Sequence, residues 1–367
     1  MNNYTKTLTT FLFISFAFAQ TQLGSDIDGE AAGDQSGESV SMNSAGDRVA
    51  IGAYYNDGTG HKAGHVRVYE YSNSIWTQVG SDIDGEAASD NSGVSVSMNS
   101  AGDRVAIGAY GNDGTGNAAG HVRVYEDSSG SWTQVGSDID GEAEGDNSGV
   151  SVSMNSDGNR VAIGAYNNDG TGSNAGHVRV YEDSSGSWTQ IGSDIDGEAA
   201  QDHSGASVSM NSDGNRVAIG AQQNNGTADL AGHVRVYEYS NSSWTQIGSD
   251  IDGEAATDFF GTLVSMNLAG DRVAIGAPYN DGTASNAGHV RVYEDSSGSW
   301  TQVGSDIDGE AEDDISGIFV SMNSAGDRVA IGAIANDGSA SGAGHVRVYE
   351  YSSSWTQIDS DIDGEAA

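Results

Sequence analysis

One phrase recurs at a fixed interval through almost the whole chain, and this limits the fold more than any other feature. Trp76, Trp132, Trp188, Trp244 and Trp300 stand 56 residues apart, and Trp355 follows 55 later. "RVAIGA" begins at Arg48, Arg104, Arg160, Arg216, Arg272 and Arg328, and "GHVRVYE" at Gly64, Gly120, Gly176, Gly232, Gly288 and Gly344. Self-similarity at such a period marks an array of supersecondary units that bury their faces against one another. Repetition runs from Gln22 onward, with no linker and no second domain.

The second copy shows what each unit contains. Residues 93–99 (GVSVSMN), 104–110 (RVAIGAY), 120–126 (GHVRVYE) and 132–136 (WTQVG) are strand-like pieces bounded by Gly, Asn, Asp and Ser. In the third piece Val122 and Val124 fall on one face and His121, Arg123 and Tyr125 on the other. This is the period-two signature of a strand. "AGD" or "DGN" reads as a tight hairpin between the first two pieces, because Gly and Asn tolerate positive φ. No segment has helical periodicity. The fold class expected is all-β, a β-propeller of about six four-stranded antiparallel blades. A β-solenoid is the alternative, although its coils are usually shorter than this repeat. Gly and Ala of "IGA" are expected where backbones approach closely near the axis. The tryptophans are expected to cover the neighbouring blade's flank, the alternative being a stacking platform for sugars.

The N-terminus reads differently. Lys6, the apolar run 11–18 (FLFISFAF) and Ala17-Phe18-Ala19 form a signal-peptide pattern over 1–19, too short for the ~20 apolar residues of a membrane span. This gives a single domain over 20–367 and a secreted, extracellular or cell-surface location. The chain has no cysteine, so packing and hydrogen bonds alone must hold it. With 53 acidic against 14 basic side chains, the formal charge is −39. Such a surface repels nucleic acid and anionic lipid and attracts cations.

The unit G-x-S-V…R-V-A-I-G-A…G-H-V-R-V-Y resembles the FG-GAP repeat of integrin-α-type β-propellers, of the secreted bacterial type. The fifth copy carries the pattern literally, with Phe260-Gly261 at its start and Gly276-Ala277-Pro278 closing its second strand. The other copies have Ser-Gly for Phe-Gly and Tyr, Gln or Ile for Pro. The resemblance implies an extracellular propeller used for binding or adhesion, commonly of seven blades. Family propellers often carry calcium in the first hairpin on a D-x-D/N-x-D-G-x-x-D loop. Here that hairpin is "NSAGDR" or "NSDGNR", too short and too poor in carboxylates, so the family site does not transfer.

A second acidic motif, "SDIDGEA", occurs seven times. Propeller topology puts it on the same face as "NDGT". Calcium takes six to eight oxygens, and each of the first six copies, with the Asp that follows it, offers four carboxylates at close spacing. The candidate metal ligands are therefore Asp26, Asp28, Glu30 and Asp34; Asp82, Asp84, Glu86 and Asp90; Asp138, Asp140, Glu142 and Asp146; Asp194, Asp196, Glu198 and Asp202; Asp250, Asp252, Glu254 and Asp258; and Asp306, Asp308, Glu310 and Asp314. Two other readings compete. The carboxylates are solvated, or they pair with the arginines, 12 of which occupy two fixed repeat positions. The six histidines from His65 to His345 are expected to be packed or hydrogen-bonded rather than zinc ligands.

Catalysis needs a set of unlike groups, and the blades offer the same groups six times. Lys62, Gln222-Gln223 and Phe259-Phe260 depart from the pattern but are scattered. The expectation is a non-catalytic, monomeric binding module for an extracellular protein or glycan, with Ca2+ as a candidate cofactor. A ligand-free scaffold and a carbohydrate-active enzyme are the alternatives. Six copies of the first three strands accompany seven of "SDIDGEA", so either residues 22–31 complete the last blade or one copy is spare.

Overall fold

The computed structural model describes residues 21–364, and its fold is a six-bladed β-propeller. The signal-peptide pattern at 1–19 lies outside the described residues. Blade 1 is built from β1 (Ser36–Met42), β2 (Arg48–Ala53), β3 (His65–Ser72) and β4 (Ile75–Gln78), in that order across the sheet. A fifth short strand, β5 (Ile83–Asp84), pairs with the start of β3, placing Ile83 opposite Val66 and Asp84 opposite His65. The outer edge of the blade is thus covered by two pieces. The second of them has no strand periodicity in the sequence. Ile83 is buried, and that burial gives the two-residue strand its footing.

The first hairpin forms because Asn43 substitutes for backbone. Its side-chain oxygen accepts from the Asp47 and Arg48 amides at 3.1 and 3.0 Å, its amide donates to Asp47 at 2.8 Å, and Gly46 takes φ +72. The Asx turn tolerates this curvature at little cost. It also occupies the hairpin that would otherwise be free for an ion.

The core lies between blades rather than within them. Ala50, Val66, Val68 and Ile83 of blade 1 pack against Val96, Met98, Val105 and Ile107 of blade 2, with Tyr125 and Trp132 at the margin. Equivalent clusters fill four more junctions. Each fully buried Val or Ile contributes about 1.5–3 kcal/mol. Polar stitches repeat with the same regularity. Ser95 Oγ donates to Gly149 O at 2.8 Å, Arg104 Nη1 reaches Gly158 O and Asp183 at 3.1 Å, and Trp132 Nε1 donates to Val79 O at 2.8 Å. All six tryptophan indoles donate to the corresponding backbone carbonyl of the preceding repeat, Leu23 O in the case of Trp76. They are structural, and their N–H groups are not free for a ligand.

The ring has an open seam. Parallel bridges join successive blades at Gly64–Ser92, Gly120–Ser148, Gly176–Ser204, Gly232–Phe260 and Gly288–Ser316, and among the described residues none joins blade 6 to blade 1. The C-terminal "SDIDG" completes blade 6, with Ile362 opposite Val346, while Leu23 of the N-terminal copy receives Trp76 of blade 1. Among the described residues, neither terminal segment pairs with the other. Side chains buried at the five junctions are consequently bare here. Met42 is 54% exposed where Met154 is 7%, and Val346 is 36% exposed where Val178 is buried. Both flanks line one cleft, about 1020 Å³, continuous with the inner strands. Met154→Ala is expected to cost about 2–5 kcal/mol and Met42→Ala under about 0.5 kcal/mol. Urea unfolding of the two variants measures this, and equal losses would mean a closed ring.

Candidate functional site

The "NDGT" and "SDIDGEA" loops share one face of the propeller, as the topology predicts. Their stitching explains why "SDIDGEA" recurs in every copy and "NDGT" in four, with NNGT and NDGS as its variants in the fourth and sixth. Asn56 Nδ2 donates to Asp34 at 2.9 Å, while its oxygen accepts from the Gly58 amide at 2.8 Å. Thr59 Oγ1 donates to the Gly85 carbonyl at 2.7 Å. In blades 1, 2, 3 and 5 the Asn ties this loop to the acidic loop before it, and in all six blades the Thr or Ser ties it to the one after.

The four acids of one acidic loop are divided among separate partners. Asp26 accepts from the Gln22 amide at 2.6 Å. The Asp28 carbonyl accepts from Arg67 at 2.8 Å. Glu30 lies near Arg67 and His65, and buried Asp34 accepts from the Ala31 amide as well as from Asn56. The same division recurs around the ring: Asp82, Asp138, Asp194, Asp250 and Asp306 accept from Gln78, Gln134, Gln190, Gln246 and Gln302, and Asp90, Asp202 and Asp314 cap their own turns.

The structure instead assembles acids from two successive copies around a histidine. The ligand-capable atoms of Glu30, His65 and Asp82 lie within 4.8 Å of one another, and so do those of Glu86/His121/Asp138, Glu142/His177/Asp194, Glu198/His233/Asp250 and Glu254/His289/Asp306. His65 Nδ1 stands 3.9 Å from Glu30 and 3.7 Å from Asp82. Two residues on, the next side chain of the same strand face brings a guanidinium, with Arg291 Nη1 3.1 Å from Glu254 and Arg123 Nη1 3.5 Å from Glu86. Tyr125 lies under Arg123, its ring centroid 5.5 Å away. The alternation of His, Arg and Tyr on one face was legible in the sequence. Their meeting with carboxylates 17 and 35 positions away was not.

Each cluster is a shallow cup. The histidine is its buried floor, the Asp a part-covered wall and the Glu a half-exposed rim. Burial pushes the His177, His233 and His289 imidazoles down to about 4, helped by Arg179, Arg235 and Arg291. Burial also raises the Glu142 carboxyl. The histidines were expected to be packed or hydrogen-bonded. They are packed, but Nε2 of His65, His121, His177, His233, His289 and His345 is buried without a hydrogen-bond partner among the described residues. The acids near Nδ1 are 3.7–4.0 Å away, beyond hydrogen-bond length. A neutral imidazole with two carboxylates and a guanidinium can accept a proton, hold a divalent cation, or stabilise an oxyanion.

No protein-family model matches this sequence, nor does any curated protein. Solved structures do match the fold. A provisionally assigned 6-phosphogluconolactonase from Bacteroides uniformis superposes with TM-score 0.63 at 11% identity, covering 90% of this chain and 86% of its own. The periplasmic gluconolactonase PpgL of Pseudomonas aeruginosa gives 0.59 at 13% identity, covering 89% and 85%. The β-propeller domain of Cps50 (Swd1) from Myceliophthora thermophila gives 0.52 at 11%, covering 89% and 86%. These likenesses establish the propeller. They also correct the expectation of a non-catalytic adhesion module: two of these neighbours are named as lactonases, so repeated blades of this architecture are no argument against an enzyme.

Proposed function

We propose that this chain is a carbohydrate-active hydrolase that opens sugar lactones. The observation that carries the reading is the cup of histidine, two carboxylates and arginine, on a fold two of whose neighbours are named as lactonases. In the reaction, water attacks the lactone carbonyl carbon and His Nδ1 takes its proton. Charge on the carbonyl oxygen is met by the arginine guanidinium. The bond from that carbon to the ring oxygen then breaks, and the imidazolium returns the proton to the departing alkoxide, leaving a hydroxy acid. An imidazole with a pKa of about 4 is neutral at pH 6.5, where it can act as a base. Its low basicity limits the driving force for proton removal.

Alternatively, Glu30, His65 and Asp82, or their counterparts, would hold a divalent cation that suits mixed nitrogen and oxygen donors, with His Nδ1 then a ligand in place of the base. A bound cation would polarise the carbonyl. Its nitrogen donor makes the cup a poorer match to calcium, which favours an all-oxygen shell. The charge of −39 and the scarcity of lysine disfavour phosphorylated substrates, so the substrate is a neutral lactone. The FG-GAP likeness supports the blade type: Phe260 is fully buried, and a Cβ on Gly276 would lie 2.0 Å from Gly317 O. The N-terminal pattern supports a site of action outside the cytoplasm.

Proton release from D-glucono-1,5-lactone at pH 6.5, with and without EDTA, tests the reading. The expected result is saturable turnover about 10²-fold or more above buffer, the scale of general-base catalysis. A rate equal to spontaneous opening in both conditions would refute it.

A further inference from the structure

The cup recurs around the ring, and the departures from the repeat show where a substrate would sit. Gln222 and Phe259, 37 residues apart, meet in one pocket of about 440 Å³ with Tyr279, Asn286, Thr257 and Thr262. This volume falls within the ~300–1,000 Å³ of small-molecule sites. The sister blades fill these positions differently. Phe259 stands where blades 2 and 3 have Asn91 and Asn147, and Gln222 where blades 1, 2 and 3 have Tyr54, Tyr110 and Tyr166.

Phe259 is held at φ +53, the left-handed region. Asn tolerates that region and a bulky side chain does not, at a cost of roughly 1–2 kcal/mol. The neighbouring blades have His203 and Ile315 at the same turn, so the bulky residues cluster at this part of the ring. Strain of this kind concentrates at ligand sites. The Phe259 ring meets Tyr279 edge to face, centroids 5.4 Å apart at 67°, and Tyr279 is 39% exposed. Around this aromatic corner stand groups able to bond hydroxyls. The Gln222 side chain and the Tyr279 hydroxyl make no hydrogen bond among the described residues. Thr262 Oγ1 donates to Phe259 O at 2.7 Å, leaving its lone pairs free. Asn286 is fixed by Asp281 through its backbone amide and by Asp313 through its side chain, both at 2.8 Å. No charged side chain lines the pocket.

We propose that this pocket, between blades 4 and 5, binds an uncharged pyranose-type ring, its apolar face on Phe259 and Tyr279 and its hydroxyls on Gln222, Thr262 and Asn286. The site's location rests on the observations above. Its role in lactone opening rests on the function proposed for the cups, and it selects one of them. Thr257 follows Glu254 by three residues and Asn286 precedes His289 by three, so the pocket and the Glu254/His289/Asp306 cup are built on the same two loops. The blade 5 junction is then the working one, and the other junctions are structural copies.

The test is titration of the mature full chain with D-glucono-1,5-lactam, which is neutral and does not hydrolyse, by calorimetry or saturation-transfer NMR. Two variants copy sister blades and so keep the fold: Phe259→Asn and Gln222→Tyr. The parent is expected to bind at a single site, with Phe259→Asn weakening binding about tenfold and Gln222→Tyr abolishing it by filling the pocket. No binding by the parent, or equal binding by parent and Phe259→Asn, overturns the proposal. Lactam binding without lactone turnover would leave the pocket standing and remove the hydrolase reading. Turnover that survives both substitutions would do the reverse.

Discussion

Acidification from pH 7 to pH 4 is expected to unfold the propeller. His177, His233 and His289 have native pKa values of about 4, against 6.5 for the free side chain. Below pH 6.5 the unfolded chain takes up protons that the folded chain excludes, so stability falls as pH falls. The loss runs at about 1.36 kcal/mol per pH unit per histidine, giving roughly 3 kcal/mol for each by pH 4. His121 shifts in the same direction. Three such losses approach the whole stability of an ordinary domain, about 5–15 kcal/mol. Some of this is returned at the acid end. Burial raises Glu142, Asp196, Asp252 and Asp308, so the folded state holds their protons more strongly and gains stability as they protonate. Urea midpoints at pH 7, 6, 5 and 4 measure the balance. The steepest fall is expected between pH 6.5 and 4. A flat profile across that window would mean that the imidazoles are not desolvated as the junctions place them.

The second large effect comes from one glycine. Gly164→Ala would put a Cβ 2.0 Å from the Gly205 carbonyl oxygen of the next blade and 2.4 Å from Ser151 Oγ. Backbone cannot move aside there without separating blades 3 and 4, and the expected loss is about 3 kcal/mol or more, at the upper end of overpacking. Gly332 occupies the same place in "RVAIGA" of blade 6, but faces the seam. The nearest atoms to its Cβ would be those of Phe319, at 3.3 Å and beyond. Gly332→Ala is therefore expected to be near neutral. The same substitution at the same repeat position should thus give opposite outcomes in thermal unfolding. Equal destabilisation would show that blade 6 has a packed neighbour.

The contrast marks what a sequence of this kind discloses. The strands were legible because "RVAIGA" and "GHVRVYE" alternate, and the close approach at Gly164 was foreshadowed by glycine in an otherwise β-branched strand. The short strand Ile83–Asp84 was not, because two residues carry no periodicity. The cups were missed because each takes Glu from one acidic loop and Asp from the next, while the eye groups the acids by loop. Asp26 and Asp34 look like co-ligands in the sequence, and the fold sends one to Gln22 and the other to Asn56. The seam depends on the rotation between blades, which no single repeat encodes. Gln222 and Phe259 did stand out as departures from the pattern. Only the second-to-third-strand loop of blade 4 lying beside the entry to blade 5 makes them one site.

Chemistry and recognition are proposed to occur at one junction. The most direct measurement is the initial rate of D-glucono-1,5-lactone opening by the parent chain and by the Phe259→Asn, Gln222→Tyr double variant under identical conditions. The account predicts saturable catalysis by the parent and the spontaneous rate for the variant, both equally folded by circular dichroism. Equal rates for the two proteins, whether catalysed or at background, would contradict it.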